Sequence, residues 1–247
     1  MKQTQQIMGM PIIVEIPGDN DQNKIKKVFN YFRKIDQKFS TYKKNSEISQ
    51  INKGEIKKNN FSPEMKLILD LADQTKMDTN GFFDSFNPII KLIDPSGIVK
   101  GWAINEAAIK LKKLGVKNFY IAAGGDIQVS GRNSQNKSWK VGIKNPFSPL
   151  EIIKVIEVET EGVATSGTYE RGTHIYNPIS KQSANEIASL TVIAPNIYEA
   201  DRFATAAFAM GEEGINFIEK LPMCEGYMIG YNKIATMTTG FARFVVQ

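Results

Sequence analysis

Apolar positions recur along this chain with two different periods. From Lys24 to Phe39 the residues Ile25, Val28, Phe29, Phe32 and Ile35 fall three or four apart, which predicts a helix with one buried face. Before it, Met10 to Ile16 is an apolar run closed by Pro17-Gly18-Asp19-Asn20, the mark of a strand and a turn. Ser46 to Ile51 reads as a short helix. Ser62-Pro63-Glu64 supplies an N-cap, a first-turn proline and a first-turn acid, and opens a helix that runs to about Met77. Asp94-Pro95-Ser96-Gly97 is a turn, and a helix is expected from Lys100 to Leu114, ended by Gly115.

The second half is richer in strands. Phe119 to Ala123 runs into Gly124-Gly125-Asp126, and Ile127 to Ser130 and Trp139 to Ile143 are expected to continue the same sheet. Ile152 to Val158 alternates, Gly162 to Ser166 is apolar and small, and Ser189 to Ala194 is a further strand. Helices are expected over Ile197 to Met210 and Gly214 to Leu221, and Tyr227 to Tyr231 and the terminal Ala242 to Val246 close the sheet. Several strands come as hairpins, so the expected class is α+β rather than a purely parallel α/β fold. No low-complexity linker divides the 247 residues, which are read as a single domain, 1–247.

Composition narrows the chemistry. The lone Cys224 allows no intrachain disulfide, and one cysteine with one histidine excludes Cys₄, Cys₂His₂ and two-histidine metal sites. Any metal must therefore be hard and bound through oxygen. The net charge of +5 suits an anionic small ligand. Its lysines are scattered in short patches with no RNA-binding aromatic motif, so nucleic acid is not an expected partner. No apolar run reaches the ~20 residues that span a bilayer. Met1 to Ile7 is polar, without an apolar signal region or lipobox-type cysteine. As the sequence stands the expectation is a cytoplasmic protein, or a periplasmic or membrane-anchored one where an export segment has been removed.

Four places hold residues that a bland fold does not need. Gly81-Phe82-Phe83-Asp84, with Pro88 beyond, sets an acid beside two aromatics; it reads equally as a turn before core residues. Asp94 to Ala103 is a glycine-containing entry into a helix, where free N–H groups attract phosphate and Lys100 adds charge. It matches neither standard nucleotide motif, and a plain capped helix also explains it. Gly162-Val163-Ala164-Thr165-Ser166-Gly167, followed by His174-Ile175-Tyr176-Asn177-Pro178, permits close backbone approach to a ligand near the only histidine. A lone histidine is more often structural, and no GxSxG elbow surrounds Ser166. In Glu199 to Thr205, Asp201 and Thr205 lie four apart on one helix face, a carboxylate and a hydroxyl of the kind Mg²⁺ takes; spacing alone fits a surface polar pair at least as well.

Taken in order, these motifs resemble the FAD:protein FMN transferase (ApbE) family. They are Met8-Gly9-Met10, Phe39 to Tyr42 with Ser46 to Asn52, Gly81 to Asp84, Lys100 to Ala103, Gly124 to Asp126, Ala164 to Gly167, His174 to Pro178 and Glu199 to Thr205. The chain departs from the family pattern at Met10, at Ser85-Phe86 and at Asn177, which stands where the family has aspartate. The resemblance implies a T-fold-like α+β architecture with mixed, largely antiparallel sheets, flanking helices and two intimately packed lobes. It implies Mg²⁺-dependent cleavage of the FAD pyrophosphate, with FMN passed to a threonine or serine hydroxyl of an acceptor flavoprotein and AMP released. The implied metal ligands are the Asp201 carboxylate, the Thr205 hydroxyl and the Ala103 carbonyl. Met8, Tyr42, Phe82, Phe83, Asp84, Lys100, Glu106 and Tyr176 match FAD-contacting positions, with Tyr42 expected to stack on the flavin. His174 is the candidate base for the acceptor hydroxyl, Asp201 belongs to the catalytic centre, and Asp126 is expected to support the site. The alternative reading is an FAD carrier, or an FAD pyrophosphatase that makes FMN and AMP without transfer.

Overall fold

The computed structural model describes residues 1–87, 91–167 and 176–246. A hairpin of β1 (Lys2–Ile7) and β2 (Met10–Glu15) precedes three helices, α1 (Gln22–Phe39), α2 (Glu47–Asn52) and α3 (Pro63–Asp78). The short pair β3 (Phe86–Asn87) and β4 (Leu92–Ile93) leads into α4 (Ser96–Lys113). Five strands follow: β5 (Phe119–Ala123), β6 (Asp126–Ser130), β7 (Trp139–Asn145), β8 (Ser148–Val158) and β9 (Gly162–Gly167). The short pair β10 (Tyr176–Asn177) and β11 (Gln182–Ser183) comes before β12 (Ile187–Ala194). Helices α5 (Ile197–Ala209) and α6 (Gly214–Glu219) then return the chain to β13 (Glu225–Gly230) and β14 (Ala235–Met237).

Eight of these strands make one sheet in the order β1-β2-β5-β6-β9-β12-β13-β14. Every pairing within it is antiparallel. Alternation along each strand sends side chains to two separate cores. Ile12 and Val14, Phe119 and Ile121, and Leu190 and Val192 face α1, α4 and α5 in the larger core. Ala122, Val129, Val163 and Ile193 face the other way, against Trp139, Val141, Ile156 and Phe241. β12 is buried along its whole length because both faces are covered.

The helices start where their caps predict. Ser62 Oγ accepts the Met65 N–H at 3.2 Å at the head of α3, and Ser46 Oγ accepts the Ser49 N–H at 3.1 Å at the head of α2. α1 buries Ile25, Val28, Phe29, Phe32, Ile35 and Phe39, its periodic face. α4 begins four residues before the expected Lys100, because Asp94 Oδ1 receives the Ser96 N–H at 3.0 Å and starts the turn there.

Two expectations are corrected. Trp139 to Ile143 does not continue the main sheet; β7 pairs with β8 in a two-stranded layer stacked on its outer face. The terminal segment is not a strand: Phe241–Phe244 is a 3₁₀ turn, and Phe241 plugs the smaller core with its ring stacked 5.3 Å from Tyr227. Strand β1 was not expected from Lys-Gln-Thr-Gln-Gln-Ile, whose side chains are mostly polar because it forms the sheet edge.

Candidate active site

Register brings the motifs to one end of the sheet. Met8 and Gly9 take positive φ of 58° and 72°, the two-residue turn that joins β1 to β2. Gly124 and Gly125, at 56° and 89°, make the corresponding turn between β5 and β6, so that Asp126 is the first residue after it, opposite Ala123. Ile12 pairs with Ala123, Ile127 with Val163 and Ser189 with Gly167. The Met8–Gly9 turn, Asp126 and the exit of β9 therefore share an edge. The segment leaving Gly167, with His174, lies outside the described residues, as does Pro88.

Over this edge α4 crosses α5 with almost no space between the backbones. A Cβ on Gly101 would fall 2.6 Å from the Asp201 Cβ and 2.8 Å from the Ile197 carbonyl oxygen. One turn earlier, a Cβ on Gly97 would fall 2.9 Å from the Phe83 ring and 3.4 Å from the Thr205 methyl. Glycines four apart thus face Asp201 and Thr205 four apart, which is how two helices nest at close range.

The crossing gathers three charges. Lys100 Nζ lies 2.7 Å from Asp126 Oδ2 and 3.5 Å from Asp201 Oδ1. Asp201 Oδ2 accepts the Gly101 N–H at 2.7 Å, and Asp126 Oδ1 accepts the Thr165 N–H at 3.3 Å. Both carboxylates are buried. Asp126 Oδ2 faces the Lys100 ammonium and, among the described residues, accepts no aligned hydrogen bond. Burial raises the Asp201 carboxyl well above the usual carboxylate range, against the pull of Lys100, and the neighbouring Asp126 charge raises it further. Among the described residues two carboxylates meet one ammonium, leaving a negative charge that a divalent cation bound beside Asp201 would relieve. Among the described residues no three His, Cys, Asp or Glu side chains converge on a metal, so water, main-chain oxygen or ligand phosphate must complete its shell.

The other expected residues divide. Phe83 is buried against Gly97 and so touches the crossing, with its N–H on Thr79 Oγ1 at 3.2 Å. Phe82 packs on the same core. Tyr42 projects into solvent from the turn after α1, 96% exposed. Asp84 is occupied elsewhere, accepting from Lys76 Nζ at 2.6 Å and from the Phe86 N–H at 2.9 Å. It lines a groove of about 760 Å³ that includes none of Lys100, Asp126 or Asp201. Glu106 sits on the side of α4 toward α1, where its charge and burial together hold the Tyr31 phenol far above its usual range, burial being the larger cause. Ala103 is wholly buried, two residues and ~200° round α4 from Gly101. Tyr176 opens β10; its side chain is not among the described ones.

Sequence spacing did not reveal the Lys100–Asp126 pair, which joins a helix to a hairpin turn. Nor did it reveal Arg202, which donates to Asp78 Oδ2 at 2.6 Å and to Glu199 Oε2 at 2.7 and 3.0 Å, tying α5 to α3. Asn177 explains its own departure from the family pattern. Its Nδ2 donates to the Ala209 carbonyl at 2.8 Å, at the C-terminal end of α5, where an aspartate has no proton to give and meets the negative end of the helix. Its Oδ1 receives the Ile179 and Ser180 N–H groups, which aspartate retains. Asn177→Asp is therefore expected to lower the Tm by about 2–6 °C, from ~1–2 kcal/mol lost at this bond. An unchanged melting curve counts against this account.

The ApbE family model matches residues 8–94 and 88–228. A protein of Haemophilus influenzae named FAD:protein FMN transferase is 30% identical over 154 residues, 57% of this chain and 44% of that protein. The chain thus matches less than half the length of that relative. A Chlamydia muridarum protein of the same name is 25% identical across 82% of this chain and 80% of its own. The flavin transferase ApbE from Vibrio cholerae superposes with a TM-score of 0.85 at 20% identity, covering 99% of this chain and 98% of that one. The ApbE protein from Thermotoga maritima superposes at 0.87 and 21% identity, covering 100% and 99%. Fold and ordered motifs agree with the family match, which spans most of the sequence: the chain belongs to the ApbE family.

Proposed function

We propose that this protein is an FAD:protein FMN transferase. The carrying observation is the Lys100–Asp126–Asp201 cluster, two buried carboxylates and an ammonium at the α4–α5 crossing of an ApbE-family chain. In the proposed reaction the acceptor serine or threonine oxygen attacks the flavin-side phosphorus of FAD. The phosphorus–oxygen bond to the adenylate phosphate breaks, and AMP leaves with that electron pair. The hydroxyl proton passes to His174.

Mg²⁺ is the proposed metal; when bound it neutralises pyrophosphate charge and polarises the phosphorus–oxygen bonds. Asp201 and Thr205 are the side chains that would hold it. The Ala103 carbonyl remains a proposed third ligand on the resemblance alone, since the close contacts of α4 with α5 are made by Gly97 and Gly101. Lys100 meets phosphate charge while positioned by Asp126. Met8, Tyr42, Phe82 and Phe83 are the proposed flavin contacts, with Tyr176 beside them. Asp84 and Glu106 retain a proposed FAD role only through the resemblance; the Asp84 carboxylate is bonded to Lys76.

The decisive experiment incubates the protein with FAD, Mg²⁺ and a candidate acceptor flavoprotein and weighs the acceptor by mass spectrometry. An added FMN, lost on chelation by EDTA, is the expected result. Release of FMN and AMP with an unmodified acceptor supports the pyrophosphatase reading, and binding without turnover supports the carrier. Tyr42 offers a second check, because a side chain so exposed contributes little to folding. Tyr42→Ala is expected to weaken FAD binding by about 1 kcal/mol at unchanged Tm, the scale of a lost aromatic stacking contact. Equal calorimetric affinity of variant and parent removes Tyr42 from the pocket.

A further inference from the structure

Helix α5 packs Asp201 and Thr205 toward α4 and turns another face to the end of α3. That second contact is polar and nearly enclosed, with the Arg202 side chain only 10% exposed. Arg202 Nε and Nη2 both donate to Glu199 Oε2, while Nη1 donates to Asp78 Oδ2 at 2.6 Å. Glu199 thus fixes the guanidinium fork from within α5, and the free arm reaches across to α3. The Tyr198 ring, one turn back, lies 5.4 Å from the guanidinium carbon. Asp78 is committed as well, since its Oδ1 accepts from Gln74 Nε2 at 2.7 Å. It is the last residue of α3, where the helix dipole places negative charge, so a carboxylate there is unfavourable unless a cation answers it. Burial acts to raise the Asp78 carboxyl, but the bonds from Arg202 and Gln74 outweigh it and hold the group below the usual carboxylate range.

What α3 delivers to the site follows directly after Asp78. Thr79 Oγ1 donates to the Thr75 carbonyl at 2.7 Å and receives the Phe83 N–H at 3.2 Å. The Gly81 N–H closes on the Lys76 carbonyl at 2.8 Å. These bonds tie the turn to the last turns of α3, so Phe83 moves with the end of that helix. The Phe83 ring and the Thr205 methyl lie side by side on Gly97, 2.9 and 3.4 Å from where its Cβ would stand. A β-branched side chain has few χ1 states, so packing of the methyl there fixes where the Thr205 hydroxyl points. Arg202 therefore closes a ring of contacts. It runs from α5 through Asp78 and Phe83 to Gly97 and back to Thr205, three residues along the same helix. Removing the guanidinium opens that ring and leaves two carboxylates around one site.

We propose that Arg202 is a positioning residue for the metal site: by holding the end of α3 against α5 it keeps Phe83 on Gly97 beside Thr205, and so keeps the Thr205 hydroxyl oriented as a ligand. The inference rests on the transferase reading in one respect, that Thr205 helps to hold the divalent cation.

The test is calorimetric titration of the full chain, saturated with FAD, with no acceptor present. Mn²⁺ is the probe, because it shares the oxygen-ligand preference of Mg²⁺. Arg202→Met, which has no charge and no fork, is expected to weaken Mn²⁺ binding roughly 10–100-fold, the range for residues that orient a metal's ligands. Arg202→Lys keeps the charge without the fork and is expected to weaken it by roughly threefold or more. Thr205→Val keeps the methyl and removes the hydroxyl, so in that background neither Arg202 substitution should cost more than about twofold. Each titration is run well below the variant's own melting midpoint, and Arg202→Lys decides the matter where Arg202→Met does not fold. Mn²⁺ affinity of the folded variants within about twofold of the parent overturns the proposal, whatever the change in Tm. An equal loss in the Thr205→Val background also overturns it and makes Arg202 a support of the fold at large. A parent that binds no Mn²⁺ with FAD overturns the metal reading and this inference together. Metal affinities that follow the expected pattern in a protein that modifies no acceptor uphold the inference and overturn the transferase reading alone.

Discussion

Asp201→Asn is expected to reduce FMN transfer by about 10²–10³ or more while leaving the protein folded. The substitution is nearly isosteric. The asparagine oxygen still accepts the Gly101 N–H that Asp201 receives at 2.7 Å, so the α4–α5 crossing keeps its anchor. What disappears is the negative charge. The buried cluster changes from two carboxylates against Lys100 to one, which removes the reason for a divalent cation to bind there. Loss of that charge also relieves the repulsion with Asp126, so thermal stability should be equal to the parent or higher. High activity loss with an unchanged or raised Tm is the signature, measured by single-turnover transfer in saturating FAD and Mg²⁺. A variant that transfers FMN within threefold of the parent removes Asp201 from the centre.

His174→Ala is expected to separate binding from chemistry. Its ring is the only imidazole in the sequence, so no second histidine can take its part. As the base for the acceptor hydroxyl it accounts for roughly 10²–10⁴ in rate, the usual range for general acid–base catalysis. FAD affinity should be retained, because Lys100 and the proposed metal ligands Asp201 and Thr205 are untouched. The informative protocol first titrates the variant with FAD to count competent molecules, then measures one turnover of transfer. A rate near the parent's per competent molecule identifies His174 as structural.

The order of secondary structure was legible because local rules fixed it. Ser46 and Ser62 cap the helices they announced, and the α1 stripe became the buried face. Partners across the fold were less legible. A strand's alternation says that one face is buried but not against what, so β7 and β8 read as sheet members although they stack on it. Phe-Ala-Arg-Phe-Val-Val has strand propensity, yet burial of Phe241 decided its conformation. In the site, spacing set Asp201 and Thr205 on one helix face but fitted a surface polar pair at least as well, and only the family resemblance gave them a metal role. The Lys100–Asp126 pair was not legible, since helix and hairpin turn meet only in the folded chain. Asp84 and Glu106 were named from the motif alone, which says nothing of neighbours: Asp84 accepts from Lys76, and the Glu106 charge adds to burial in raising the Tyr31 phenol.

The N-terminal end of α5 sits against the sheet at backbone distance and is tied to it by the Gln128 side chain. A Cβ on Gly162 would fall 2.1 Å from the Ile197 nitrogen, and Gln128 Oε1 receives that same N–H at 2.8 Å. Mechanically, α5 is a rod clamped at its root. Asp201 lies ~6 Å along the rod and Thr205 ~12 Å, at 1.5 Å of rise per residue. A tilt of ~5° at the clamp therefore shifts the first by ~0.5 Å and the second by ~1 Å, against a tolerance of about ±0.2 Å for a metal ligand. The placing of Asp201 and Thr205 thus depends on Gly162 and Gln128, two residues that lie outside the cluster itself.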